Sequence, residues 1–332
     1  MPSTLIITGI IVVLALSFDF INGFHDTATA VATTISTRAL RPKTAILLCA
    51  FFNFIGAFMG TAVAKTVGDD IINHKYLPQW CLVGVLASCI IWNIITWYFA
   101  IPSSSSHTLI GSLIGAGIAF NGSIDKIQWG NVFNHVVVWL ILGPAIGFIL
   151  GYIIMLILNW TFRKCKIGIV NKIFLKMEIL GTAFMALNHG ANDAQKSMGI
   201  ITMALLSGGV ISTFDVPTWV IAACALSMAL GTSIGGKKII KTMGNKMTKL
   251  NPVGGFASQI GAAVAILGAT IFDAPVSTTQ VMTTTIMGVG ASKNIKSVKW
   301  GVARGIIWAW VLTIPVSAVI SGILITVVKF II

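Results

Sequence analysis

Four acidic residues stand in or beside long apolar runs: Asp19, Asp26, Asp193 and Asp273. An ionisable group in hydrocarbon is costly, so such residues are read first as functional. Two of them share a local pattern. Asp26 ends Asn22-Gly23-Phe24-His25-Asp26, and Asp193 ends His189-Gly190-Ala191-Asn192-Asp193. A buried carboxylate can compensate a cation and can accept from a protonated oxyanion. Each acid follows a Gly and a short polar run, a combination expected to break the helix. A break at membrane depth is tolerated only where protein buries it or it lines a cavity. The competing reading, two satisfied polar residues that pin helix breaks, stays open.

The second pattern is rich in hydroxyls. Ser103, Ser104, Ser105, Ser106 and Thr108 follow Pro102, and Ser277, Thr278 and Thr279 follow Pro275. Pro ends one helix and a hydroxyl residue can cap the next. A helix N-terminus offers free N–H groups and a positive dipole end, which suits a tetrahedral oxyanion. Helix–helix hydrogen bonding is the competing reading for a Ser/Thr run. Single residues also divide. His25 either carries a proton near neutral pH or is a satisfied buried histidine. Lys196, one turn after Asp193, either pairs with it or snorkels. Trp80, Trp129, Trp160, Trp219 and Trp300 read as interface anchors. Gly56, Gly60, Gly111, Gly115, Gly261 and Gly268 read as close-packing positions.

These groups need apolar elements to hold them. The chain has 332 residues, 56% hydrophobic and 9% charged, with a mean hydropathy of +0.93. Soluble domains carry about 25% charged residues, so a water-soluble enzyme is excluded. A spanning helix needs about 20 apolar residues. Candidate segments are 4–36 (interrupted), 44–64, 80–100, 107–120 (short), 131–158, 177–207 (interrupted), 218–236, 251–271, 280–291 (short) and 300–328. The two short segments resemble return arms of re-entrant hairpins. The net charge of +13 sits in short loops, as the positive-inside rule expects. No basic stripe interleaved with aromatics occurs, so nucleic acid is excluded as a partner. The five cysteines are irregularly spaced and read as free thiols. The N-terminal run lacks a basic region and a cleavage pattern, and reads as the first membrane segment.

The order of motifs repeats. Besides the two acid motifs, Lys65-Thr66-Val67-Gly68 matches Lys241-Thr242-Met243-Gly244, Pro102 to His107 matches Pro275 to Gln280, and Trp139 with Pro144 matches Trp310 with Pro315. The expected organisation is a first membrane repeat over 1–158, a basic cytoplasmic linker over 159–176 and a second repeat over 177–332. Equivalent loops differ in charge. Loop 37–43 carries Arg38, Arg41 and Lys43, whereas 208–217 carries only Asp215; loop 237–250 carries five lysines, whereas 65–79 is balanced. Equivalent loops of opposite charge bias imply inverted repeats. The prediction is an all-α polytopic protein of the cell membrane, two inverted repeats with interrupted helices and re-entrant helical hairpins, both termini outside.

Residues 23–33 (Gly-Phe-His-Asp-Thr-Ala-Thr-Ala-Val-Ala-Thr) and 189–199 (His-Gly-Ala-Asn-Asp-Ala-Gln-Lys-Ser-Met-Gly) resemble the duplicated signature of the PiT inorganic phosphate transporter family. The resemblance runs from Asp19 to Lys329 and includes the Pro-Ser-Ser-Ser-Ser-His run. It implies symport of phosphate with sodium or protons, substrate held between inverted repeats, and no enzymatic activity. It implies substrate contacts by Asp26, Thr27, Ser104, Ser105, Ser106, Asn192, Asp193, Ser277, Thr278 and Thr279. Asp26, Asp193, His25 and Asn22 are the expected coupling-cation residues. The family signature more generally has Asn where this chain has His25, and commonly Asn at Thr29. No cofactor is expected; the coupling cation is H+ or Na+, and a divalent metal travelling with phosphate stays open. Partners are phosphate and membrane lipid, with a homodimer as one candidate assembly. Two alternatives remain: a sulfate permease of the same family, and, more remotely, an intramembrane hydrolase using Asp26 and Asp193 as an aspartyl dyad. Phosphate retains a proton at neutral pH and can donate it to a carboxylate, which sulfate cannot, so paired acids favour phosphate. A channel is the third possibility, less suited than alternating access to paired acids in broken helices.

Overall fold

The computed structural model describes residues 2–236, 239, 240, 242, 243 and 247–331, with side chains from Thr4 onward. Lys237, Lys238, Lys241 and Lys246 of the predicted basic loop lie outside the described residues, as do two residues of the Lys241–Gly244 repeat match. Among the described residues these helices carry the fold: α1 (Pro2–Ser36), α2 (Pro42–Gly56), α3 (Ala62–Gly68), α4 (Gln79–Tyr98), α5 (Ser105–Asn121), α6 (Trp129–Thr161), α7 (Ile167–Ser207), α8 (Thr218–Ile234), α9 (Pro252–Ile271), α10 (Thr278–Lys293) and α11 (Trp300–Ile331). No strand occurs among the described residues. Five of these helices are long and apolar enough to cross a membrane, within α1, α4, α6, α9 and α11.

Polarity is distributed as lipid demands. Leu5, Ile6, Val13, Ile141, Ile149, Ile157, Val319, Ile323 and Val327 are exposed, while Asp19, Asp26, Asp193 and Lys196 are buried. With lipid outside, exposed apolar side chains need no cover, and polar groups gather in the interior. Four of the predicted anchors, Trp129, Trp160, Trp219 and Trp300, are exposed near helix ends.

Three expectations are corrected. The acid motifs do not interrupt their helices: α1 and α7 run unbroken through Asp26 and Asp193. Their glycines serve close approach instead. A Cβ at Gly23 would strike the Met228 carbonyl of α8, and one at Gly190 the Asn53 carbonyl of α2. The contacts return from the other side, Gly231 against the Phe20 carbonyl and Gly56 against the Leu187 carbonyl. Packing of this kind outweighs the roughly 1 kcal/mol that Gly costs a helix relative to Ala. Segment 44–64 is two helices, because the N–H groups of Phe58 and Met59 bond back to Ile55 and Gly56 and tighten α2 to a stop. Segment 159–176 is mostly helical: only Phe162 to Lys166 separate α6 from α7.

The helices exchange partners across the chain. α1 packs on α8 and α4, and α7 on α2 and α9; α5 lies along α11, and α10 along α6. The first turns of α5 and α10 consequently meet beside the middles of α1 and α7. Asp273 is not among them; it occupies an exposed left-handed turn between α9 and α10.

Candidate functional site

The two hydroxyl runs are N-caps. Ser104 Oγ accepts from the His107 N–H at 3.2 Å, and Ser277 Oγ from the Gln280 N–H at 3.3 Å. Each satisfies one N–H that a helix start leaves free and fixes the direction of the residues after it. Ser105 and Thr278, the first helical residues, then project onto the acids. Ser105 Oγ donates to Asp26 Oδ2 at 3.0 Å, and Thr278 Oγ1 lies 3.4 Å from Asp193 Oδ2. Thr279 Oγ1 donates to Asp26 Oδ1 at 3.0 Å, so one carboxylate receives both caps. Ser106 Oγ turns to the Val276 carbonyl at 2.8 Å.

Each acid has its own basic partner. Lys196 Nζ is 2.6 Å from Asp193 Oδ1, so of the two readings of its spacing, pairing and snorkelling, it pairs. His25 Nδ1 donates to Asp26 Oδ1 at 2.8 Å, and its Nε2 faces Thr96 Oγ1 at 3.2 Å and Ser103 Oγ at 3.5 Å. Hydroxyls, imidazole and carboxylate thus stand in one row within hydrogen-bond reach of one another. His189 Nδ1 meets Asn53 Oδ1 at 3.2 Å, and its Nε2 stands 3.3 Å from Asp193 Oδ2 without completing a hydrogen bond. Asn22 Nδ2 reaches Asp193 Oδ2 at 3.5 Å. Ligand atoms of Asp26, His189 and Asp193 all lie within 4.8 Å of one another, close enough to hold one metal ion. Lys196 already places a positive charge on that cluster. The two carboxylates, each with a separate partner, do not form the shared-proton pair that an aspartyl hydrolase uses.

Most predicted residues converge here: Asn22, His25, Asp26, Ser105, Asp193, Thr278 and Thr279 are buried around one point, with Ser104 and Ser277 as the caps that aim them. Two do not. Thr27 donates to the Gly23 and Thr232 carbonyls at the α1–α8 crossing. Asn192 donates to Thr270 Oγ1 at 3.0 Å and the Ala274 carbonyl at 3.2 Å, so it braces the approach to α10. Thr29 bonds its own helix at the Asp26 carbonyl, 2.7 Å away. His189 and Thr96 were not foreseen. The repeat carries a signal for His189, which occupies the position of Asn22 in the second acid motif; Thr96 has none.

These features define a polytopic helical membrane protein with a buried polar centre fed by elements from both halves of the chain. The model of the Phosphate transporter family matches residues 22–170 and 166–321. A probable low-affinity inorganic phosphate transporter of Bacillus subtilis is 48% identical over 326 residues, covering 97% of each chain. A probable low-affinity inorganic phosphate transporter of Rhizobium meliloti is 44% identical, covering 96% of this chain and 95% of its own. The fold matches a solved structure, the sodium-dependent phosphate transporter, with a TM-score of 0.86 at 24% identity, over 98% of this chain and 100% of that one. The chain belongs to the phosphate transporter family. These relatives are transporters, not enzymes.

Proposed function

We propose that this protein imports inorganic phosphate across the cell membrane by symport with a cation, H+ or Na+. The observation that carries the reading is the convergence of Ser105, Thr278 and Thr279 from two helix starts on Asp26 and Asp193. Monohydrogen phosphate has oxygens that accept and one hydroxyl that donates. Hydroxyls and helix N-termini serve the first; a carboxylate serves the second. In the structure the hydroxyls donate to the acids, and on phosphate binding they turn to the anion. Lys196 and the coupling cation offset the negative charge that gathers there. A divalent ion accompanying phosphate would find its ligands in Asp26, His189 and Asp193.

The exchanged helix packing and the matched glycine crossings support two repeats related by a two-fold axis in the membrane plane. In this arrangement α4–α5 and α9–α10 are re-entrant hairpins with Pro102 and Pro275 at their tips. Positive-inside charge then places both termini outside. The deciding experiment is radiolabelled phosphate uptake into proteoliposomes under separately imposed proton and sodium gradients. Accumulation of phosphate, unaffected by excess sulfate, is expected under one gradient. Accumulation of sulfate in its place, or uptake of neither, overturns the reading.

A further inference from the structure

Asp19 lies seven residues before Asp26, about 10 Å along α1. It is fully buried, and neither of its carboxylate oxygens has a hydrogen-bond partner. Two neighbours share that condition. Ser197 of α7 faces the Asp19 carboxyl, and its Oγ completes no hydrogen bond of ordinary geometry. Asn22, one turn along α1, gives its Nδ2 to Asp193 and leaves its Oδ1 without a donor. All four unpartnered atoms are oxygens. The charged or titratable groups facing Asp19 are Asp193 and Lys196 of α7 and the Cys224 thiol of α8. Lys196 is committed to Asp193 at 2.6 Å, and Asp26 has His25 at 2.8 Å. Asp19 is therefore the acid of this region that has no ion pair of its own among the described residues. An unpaired buried carboxylate is among the costliest groups a fold can hold, and it is kept where something positive joins it.

We propose that Asp19, with Asn22 Oδ1 and Ser197 Oγ, holds the coupling cation, in a site separate from the acids that face phosphate. One carboxylate among neutral oxygens matches a single positive charge, and an oxygen-only set suits H+ or Na+ rather than a soft metal. The inference rests on the phosphate-symport reading and divides its labour. With Asp19 ionised, an arriving phosphate meets an uncompensated negative charge beside Asp193; with the cation in place it does not. Cation binding thus raises phosphate affinity, and by reciprocity phosphate raises cation affinity, which is what coupling requires.

The test uses wild-type protein, Asp19→Asn, Asp19→Glu and Ser197→Ala in proteoliposomes, with two assays. One is gradient-free exchange of internal for external labelled phosphate; the other is uphill accumulation under an imposed H+ or Na+ gradient. Asp19→Asn is expected to keep exchange and lose accumulation, and Asp19→Glu to regain the gradient response. Ser197→Ala should raise the half-saturating concentration of the driving cation about tenfold, with half-saturation by phosphate unchanged once the cation is saturating. The gradient that drives the wild type names the cation. Wild-type accumulation by Asp19→Asn overturns the proposal, and so does loss of exchange in a well-folded Asp19→Asn, which would place Asp19 in the phosphate step. Should Asp19→Asn not fold, Ser197→Ala decides: an unaltered cation dependence overturns the proposal. A wild type that moves no phosphate under either gradient overturns the symport reading instead.

Discussion

His107 Nδ1 and Gln280 Nε2 stand 3.2 Å apart where the first turns of α5 and α10 meet. The two residues hold the same place after Pro102 and Pro275, so the pair joins equivalent points of the two hydroxyl runs. A carboxamide nitrogen only donates. His107 Nδ1 is therefore the acceptor, and the ring proton sits on Nε2. Gln280→Leu leaves that acceptor buried and unsatisfied, at a cost of about 1–3 kcal/mol. Thermal unfolding in detergent should show the loss. Replacing both partners, His107→Phe with Gln280→Leu, should recover much of it. A double variant no more stable than Gln280→Leu alone contradicts the assigned contact.

The two acids should respond differently to neutralisation. Asp26→Asn and Asp193→Asn are each expected to abolish gradient-driven uptake. Their stability should diverge. Asp193 is the partner of a buried lysine, and Asp193→Asn leaves the Lys196 ammonium without a counter-charge, a loss of about 3–5 kcal/mol. The partner of Asp26 is an imidazole that also contacts the Thr96 and Ser103 hydroxyls, so Asp26→Asn should cost less. Asp193→Asn combined with Lys196→Met should restore melting temperature without restoring uptake. Near wild-type uptake by either single variant would reduce its acid to a packing role.

Much of this centre was legible in the sequence because its chemistry is duplicated. Asp26 and Asp193 stood out as acids in apolar runs at equivalent places, and the hydroxyl runs after Pro102 and Pro275 marked helix starts. Spacing offered the pairing of Lys196 with Asp193 as one of two readings, and the structure takes it. The helix breaks at the acid motifs were wrong for a physical reason. A Gly beside polar residues reads as a breaker, but Gly23 and Gly190 are there because another backbone crosses within a Cβ radius, which the sequence of one helix does not reveal. Thr27 and Asn192 lie in the signature yet face a carbonyl of α8 and one of the α9–α10 connection, since a continuous helix spreads successive side chains around its axis. The proposed role of Asp19 depends on which oxygens lack partners, and that emerges only with α1 and α7 side by side.

The proposed inverted arrangement makes a topology prediction that native chemistry can check. Cys165 is exposed in the short connection between α6 and α7, whereas Cys49, Cys81, Cys89 and Cys224 are buried. That connection lies amid Arg163, Lys164 and Lys166 and is assigned to the cytoplasm. A membrane-impermeant maleimide should leave Cys165 unmodified in intact cells and label it after permeabilisation. In a Cys165→Ser background, Ser212→Cys should label from outside without permeabilisation. The reverse pattern contradicts the orientation, and equal access of both sites contradicts the inversion.

The hydroxyl caps offer the sharpest separation of binding from packing. Ser105 and Thr279 donate to Asp26 at 3.0 Å each, and Thr278 approaches Asp193 at 3.4 Å. If these hydroxyls turn to phosphate, each contributes a hydrogen bond to a charged group, worth about 1.5–3 kcal/mol. Ser105→Ala, Thr278→Ala and Thr279→Ala should then each weaken phosphate binding by about 10- to 100-fold. Thr326→Ala, which removes a hydroxyl bonded only to its own helix at the Gly322 carbonyl, is the control and should leave affinity unchanged. Equilibrium binding of labelled phosphate to the purified protein measures the effect without a transport step. Hydroxyls that merely knit helices together would give another result: lower melting temperatures and the same affinity. Loss of affinity in the α5 variant alone, with both α10 variants binding as the wild type does, would show that one cap holds the anion and the other serves only the contact between helices.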